Sequence, residues 1–318
     1  VAKLEMLPFC EDFLADAAEL LAARHRAHRA VEPLLPSCYE DVSAALLEIK
    51  ALAAADGVSG AVALRGGRLT GYLLGSPRAG WGANVWVELA GHAAAEAEEI
   101  RDLYAAAAAV WVERGIVDHY AFVPASDSAA LQAWFRVSFG QQQALGIQSV
   151  PRVGWPEGVR VAEPRDVDAI LPLVPLLATH QRQSPTFAVH LGPGNGAELR
   201  AEILEDLRRD DRADLIAERD GQIVGLVEVA PVERSSMHSG LARPEGAALL
   251  SFAAIRPVVR GSGAGLALTQ AAFAWAREHG FEVMVVDWRV TNLLASRFWP
   301  HRGFRETFLR LHRRLPAL

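Results

Sequence analysis

The stretch that decides the fold is Ile255-Arg256-Pro257-Val258-Val259-Arg260-Gly261-Ser262-Gly263-Ala264-Gly265-Leu266. It follows the apolar run Ala247 to Ile255, which reads as a buried strand. It opens an amphipathic stretch, Gly263 to His279, that Gly280 ends as a helix. Three glycines between strand and helix let the backbone approach a ligand closely. The first-turn N–H groups point outward there with the positive end of the helix dipole, which makes an anion site suited to a pyrophosphate. Arg260 adds a fork-shaped cationic donor at the rim. The spacing is not G-x-G-x-x-G, and no Lys-Ser/Thr pair follows, so neither a dinucleotide fingerprint nor a P-loop is present.

Outward from this loop, Val159 to Ala162 predicts a strand and Val167 to Thr179 an amphipathic helix. Gly196 to Arg209 predicts another helix, with Leu199, Ile203 and Leu207 at helical spacing. A hairpin follows, with strands on either side of the turn at Asp220-Gly221. Downstream of the loop come a strand over Phe281 to Trp288, a short helix over Asn292 to His301 and a strand over Phe304 to His312. The order is β-α-α-β-β-β-α-β-α-β.

The first half carries a faint copy of the same plan. Arg65-Gly-Gly-Arg-Leu-Thr-Gly-Tyr-Leu aligns with Arg219-Asp-Gly-Gln-Ile-Val-Gly-Leu-Val, and each segment closes on a proline, Pro77 or Pro231. Further on, Ser128, Trp134, Phe135 and Phe139-Gly140 echo the spacing of Asn292, Phe298, Trp299 and Gly303-Phe304. Helices are expected at Asp12 to His28, Ser43 to Ala54 and Glu98 to Arg114. The stretch Gln148 to Gly158, rich in proline and glycine, reads as a linker. The expected fold is α/β with a mixed sheet, in two tandem domains, residues 1–150 and 151–318.

The 318 residues carry a net charge of −6, which argues against a general nucleic-acid partner. Cys10 and Cys38 have neither zinc nor CxxC spacing, so no metal site and no disulfide framework is expected. The Ala-rich run Tyr104 to Val112 is too short to span a bilayer. With no secretory signal visible, the expected setting is the cytoplasm, without membrane attachment.

Ile255-x-Pro257-x-x-Arg260-Gly-x-Gly263-x-Gly265 resembles the cofactor motif of the GNAT superfamily, the acyl-CoA-dependent N-acyltransferases, whose core is R/Q-x-x-G-x-G/A. Asn292-x-x-Ala295-x-x-Phe298-Trp299-x3-Gly303-Phe304 resembles that family's N-x-x-A-x-x-[LF]-Y-x3-G-F. The resemblance covers the second domain and makes the first a degenerate copy. It implies a mixed, mostly antiparallel sheet flanked by helices, with a central strand pair splayed apart. Acetyl-CoA, or another acyl-CoA, is the implied co-substrate, with no metal. Ala253, Ala254 and Ile255 would offer strand backbone to the pantetheine arm. Arg260, Gly261, Ser262, Gly263, Ala264, Gly265 and Leu266 would cradle the pyrophosphate. Asn292, Ser296 and Trp299 would line the other wall.

The implied reaction is transfer of an acyl group from the CoA thioester to an amine on a small molecule or peptide, by direct attack in the second domain. Two departures bear on its chemistry. The family's tyrosine acid is replaced by Trp299, whose indole N–H is no acid near neutral pH. The family's carboxylate base, where present, corresponds to Leu249. Glu228, Asp287, Ser296 and His180 are the remaining candidates for handling the amine proton. Their plain readings are solvated strand-edge carboxylates for Glu228 and Asp287, a helix-surface residue or cofactor contact for Ser296, and a helix-end residue for His180. A non-catalytic acyl-CoA-binding protein is the alternative. The acceptor would be set by the loops Gln181 to Gly196 and Val232 to Gly246, the second a candidate lid. Either a monomer or a homodimer fits.

In the first domain, Gly91-His-Ala-Ala-Ala-Glu-Ala-Glu-Glu99 stands where the glycine loop should be. It brings carboxylates to a helix start that would have to receive phosphates. His92 is a candidate ligand there, with solvent exposure as its plain reading.

Overall fold

The computed structural model describes residues 3–188 and 196–316. The chain divides into two compact units, Val1–Leu145 with Gly240–Arg243 and Glu306–Leu318, and Gly146–Ser239 with Pro244–Arg305. This differs from a cut at residue 150. Glu306–Leu318 and Gly240–Arg243 fall in the first unit, and the segment from Gly146 onward falls in the second.

In the first unit, β1 (Leu4–Pro8), α1 (Leu14–Val31) and α2 (Val42–Ala53) precede the hairpin β2 (Ser59–Arg65) and β3 (Arg68–Gly75). Gly66 and Gly67 take positive φ at the hairpin turn, as the sequence required. The next strand is broken into β4 (Asn84–Val87) and β5 (His92–Ala94). The break is a tight turn closed by Gly91 N–H to the Glu88 carbonyl at 2.7 Å. A Cβ at Gly91 would lie 2.8 Å from both the Glu88 nitrogen and the Leu74 oxygen, so only glycine fits. Then come α3 (Glu99–Glu113), β6 (Asp118–Pro124), α4 (Ser128–Arg136) and β7 (Gly140–Ser149). One sheet has the order β1-β2-β3-β5, and β4 runs parallel to β6. Leu21, Ile49, Tyr72, Leu73, Leu103 and Trp111 are buried in this unit's core.

The second unit contains β8 (Val159–Val161), α5 (Val167–Ile170), α6 (Val174–Gln181), α7 (Gly196–Asp206), β9 (Ala213–Arg219), β10 (Gln222–Pro231) and β11 (Ala247–Ile255). It continues with α8 (Ala264–Glu278), β12 (Val283–Arg289) and α9 (Leu293–His301). The last strand, β13 (Arg305–Arg314), lies from Glu306 onward in the first unit, where it pairs antiparallel with β6. The single helix expected over Val167 to Thr179 is two short ones. Pro172 has no N–H to give the Asp168 carbonyl, and Pro175 seats at the first turn of α6.

Strand order in the second unit is β12-β11-β10-β9-β8, antiparallel except for the parallel pair β11–β12. Successive residues of β10 face opposite sides, as the pleat requires. Leu226 joins Ile170, Leu173, Ile203 and Ile216 in the core under α5 and α7. Gly225 faces α8, where an added Cβ would meet Leu268 at 2.9 Å. Among the described residues, no helix is long and apolar enough to cross a membrane.

Candidate acyl-CoA site

β11 and β12 pair from Ala247↔Val283 to Leu250↔Val286, and there the register ends. Both strands run on, to Ile255 and Arg289, so a cleft opens between them. The next residue of β11, Ser251, is a bulge: Leu250 pairs with Val229 and Phe252 with Glu228, and Ser251 has no opposite number. Beyond the bulge β11 stays bonded to β10, and Arg256 N–H donates to the Val224 carbonyl at 2.9 Å. Antiparallel strands alternate the edge to which their polar groups point. The N–H and C=O of Ala253 and Ile255 therefore face the cleft, while those of Ala254 face β10.

The glycine loop closes this cleft at one end. Gly261 and Gly263 have φ of +80° and +90°, a backbone region that a side chain would strain. A Cβ at either would meet nothing within 4 Å, so internal packing does not demand glycine; the loop conformation and an open approach do. The first helical bond of α8 is Ala267 N–H to the Gly263 carbonyl at 3.0 Å, which leaves the N–H groups of Ala264 to Leu266 without helical acceptors. Arg260 is exposed at the rim. A second cation not anticipated from sequence, Arg219 at the end of β9, reaches the loop and donates to the Ser262 carbonyl. The repeat had singled out Arg219, but only as part of a hairpin. Open amides, an accessible backbone and two arginines suit a pyrophosphate.

On the other wall, Asn292 caps α9. Its Oδ1 accepts from Leu294 and Ala295 N–H at 3.2 and 3.3 Å, and from His180 Nε2 at 3.2 Å. A shared oxygen acceptor requires Nε2 to carry hydrogen, so that nitrogen of His180 is engaged as a donor rather than as a base. Ser296 lies one turn along α9, half-buried. Trp299 is only 6 % exposed and packs edge-on against Phe298 and Phe304, which makes its ring core. Phe298 is the wall residue beside the loop: a Cβ on Gly265 would lie 3.7 Å from it.

Asp287 is half-buried on β12. Glu228 is not at a sheet edge, since β10 lies between β9 and β11. Its side chain is about a quarter exposed, and Arg212 Nη2 stands 3.4 Å from its Oε2. Burial, then the neighbouring Asp214 carboxylate, pushes its pKa up to about 7 against the pull of Arg212. Leu249, at the family's carboxylate position, is buried in the same strand system. The loop Gln181 to Gly196 includes residues 189–195, which lie outside those described. In the other long loop, Val232 and His238 are buried, so this part is packed down.

The corresponding place in the first unit is closed from within. β4 and β6 pair up to Val87↔Ala121 and then part. His92 is 1 % exposed, not solvated as its loop position suggested. Its Nε2 donates across the gap to the Phe122 carbonyl at 3.0 Å. The buried guanidinium of Arg24 donates to the carbonyls of Leu89 and His92. At the start of α3, the N–H groups of Glu99, Ile100 and Arg101 bond back to Glu96, Ala97 and Glu98 at 3.0–3.1 Å. Backbone groups that border the open cleft in one unit are thus satisfied by protein groups in the other.

Residues 178–304 match the model of the Acetyltransferase (GNAT) family. No significant match is found among curated proteins. Among solved structures, a GCN5-related N-acetyltransferase from Sphaerobacter thermophilus aligns over 99 % of this chain and 97 % of its own, with 15 % identity and a TM-score of 0.57. A GCN5-related glucosamine N-acetyltransferase region of a fungal multi-domain GH3 beta-N-acetylglucosaminidase aligns over 98 % of this chain and 38 % of that one, with 14 % identity and a TM-score of 0.52. A tandem GNAT protein from the clavulanic acid biosynthesis pathway aligns over 99 % and 100 %, with 15 % identity and a TM-score of 0.49. At such identities the likeness is one of fold. Over residues 178–304 the second unit carries a domain that matches the Acetyltransferase (GNAT) family.

Proposed function

We propose that the second unit transfers an acyl group from its CoA thioester to an amine, and that the first unit holds no CoA. The observation that carries this reading is the parting of β11 from β12 after Leu250↔Val286, with a glycine loop of outward-facing amides at its end. The pantetheine amides would bond the cleft-facing groups of Ala253 and Ile255. The pyrophosphate would lie over Gly261 to Leu266, with Arg260 and Arg219 as counter-charges. Positioning an amine against a thioester in such a cleft supplies a large share of the rate, and strand N–H groups beside the bulge at Ser251 can polarise the thioester carbonyl. The acceptor is an amine on a small molecule or peptide.

A non-catalytic acyl-CoA-binding role is favoured by one pair of observations, the buried Leu249 and the core-packed Trp299. Calorimetric titration of acetyl-CoA into the protein and into Gly263→Asp, followed by thiol release with a panel of primary amines, separates the readings. Binding that Gly263→Asp abolishes, together with amine-dependent thiol release, is the expected result. Binding without release for any amine supports the binding role. Absence of binding removes both.

A further inference from the structure

We infer that Glu228 is the proton acceptor of this site, and that the acceptor substrate is an amine that docks on it as the ammonium ion. The inference rests on the acyl-transfer reading above.

Leu250 is the last residue of β11 that pairs with β12, and Ser251 is the bulge that follows. Ser251 Oγ donates to Glu228 Oε2 at 3.2 Å. The carboxylate therefore stands beside the point where the cleft opens. Glu228 pairs with Phe252, and Leu249 with Ala230, so Glu228 lies one strand over and one pleat along from Leu249. By the alternation of β10 it shares the face of Leu226, opposite to α8. A base missing from the central strand is replaced by one on its neighbour.

The surroundings fit that task. Arg212, itself 9 % exposed, bonds Asp214 at 2.7 Å and Asp206 at 2.5 Å, with Glu228 at 3.4 Å. The charged groups facing Glu228 are Asp214 and Arg212 at the start of β9 and Asp206 at the end of α7. Three carboxylates share Arg212, and a second guanidinium, Arg234, stands 3.6 Å from Asp206, so one negative charge is in excess in a half-buried place, which favours a cation as the incoming group. A base whose pKa lies near the working pH is both ionised enough to accept a proton and basic enough to take it.

The step balances without any further reactant. The ammonium gives a proton to the Glu228 carboxylate, and the free amine attacks the thioester carbon. The C–N bond forms and the C–S bond breaks. The thiolate leaves as CoA thiol with the amine's second proton, and Glu228 returns its proton to solvent. An ordinary ammonium is about 3 pKa units more basic than this carboxylate, and partial desolvation of the cation narrows that gap.

The test uses the full-length protein with Glu228→Gln, which keeps an acceptor for Ser251, and Glu228→Asp. Thiol release with acetyl-CoA and a panel of primary amines is followed from pH 5.5 to 9. In the unaltered protein kcat/KM is expected to rise with pH through an inflection near 7. Glu228→Gln is expected to lower kcat/KM by 10²–10³-fold, abolish the inflection, and leave the acetyl-CoA Kd within twofold. Glu228→Asp should recover part of the rate and keep an inflection. Activity of Glu228→Gln within threefold of the unaltered protein, with the inflection kept, overturns the assignment while leaving acyl transfer intact. Failure of the unaltered protein to bind acetyl-CoA, or to release thiol with any amine, overturns the transfer reading and this assignment with it.

Discussion

Arg65 donates to the carboxylate of Glu99 at 2.6 Å, and this pair stands where the second unit has Arg219 and the carbonyl of Ser262. The two arginines hold the same place in the repeated hairpin. In the first unit the cation is spent on a carboxylate that is 2 % exposed at a helix start. In the second it meets a loop carbonyl beside open amides. One position in the repeat makes an internal ion pair in one copy and holds the glycine loop in the other.

One acetyl-CoA per chain is therefore the expected stoichiometry, and Gly263→Asp should leave no residual site. The substitution places a carboxylate at φ +90° where a pyrophosphate would lie, combining strain of about 1–2 kcal/mol with like-charge repulsion. A second site, or one that survives the substitution, would show that Arg24, His92 and Glu99 do not close the first unit.

Acid should weaken the first unit. Burial holds His28 and His92 at about 3 and His119 at about 4. In the unfolded chain they titrate near 6.5, so the unfolded state takes up protons first. The stability these neutral histidines contribute is complete above pH 6.5 and is lost as pH falls toward their folded values. At pH 5 the loss is roughly 2 kcal/mol for each. Urea midpoints at pH 7.5 and 5.0 measure it, and His92→Gln, which keeps a donor for Phe122, should flatten the dependence. An unchanged midpoint between those pH values would count against it.

Gly265→Ala should be tolerated. A methyl group there meets Phe298 at 3.7 Å and Ile255 at 3.9 Å, ordinary contact distances. Within α8, alanine is favoured over glycine by about 0.5–1 kcal/mol. The melting temperature is thus expected to hold or rise. The acetyl-CoA Kd should stay within about threefold, because the motif this loop resembles takes alanine at this position and the methyl makes only ordinary contacts. A loss of affinity beyond about tenfold would mean that the ligand lies closer to this turn than the motif implies.

Arg212→Gln should be costly in two ways. It removes the counter-charge of Asp206 and Asp214, both within 2.7 Å, for a loss of about 3 kcal/mol measured by chemical denaturation. It also removes the group that draws the pKa of Glu228 downward, so the inflection in the pH–rate profile should move above 7. A downward movement, or none, would separate Arg212 from the function of Glu228.

The sequence by itself determined the features that are local. Gly261 and Gly263 specify a turn with left-handed residues. Asn292 specifies a cap, and the hairpin glycines specify where β2 gives way to β3 and β9 to β10. Each needs only a few consecutive residues, because backbone sterics and capping act over one turn. The periodicity of α8 and the apolar run of β11 were legible for the same reason. What the tertiary structure decided was the environment of single polar groups. Glu228 reads alone as a surface carboxylate; burial and the neighbouring Asp214 and Asp206, against the pull of Arg212 and Ser251, bring its pKa up to about 7. His92 reads as an exposed loop residue until Arg24 and Phe122, both distant in sequence, surround it. Desolvation and charge depend on neighbours in space, and those neighbours exist only once the strands are paired and the helices laid over them.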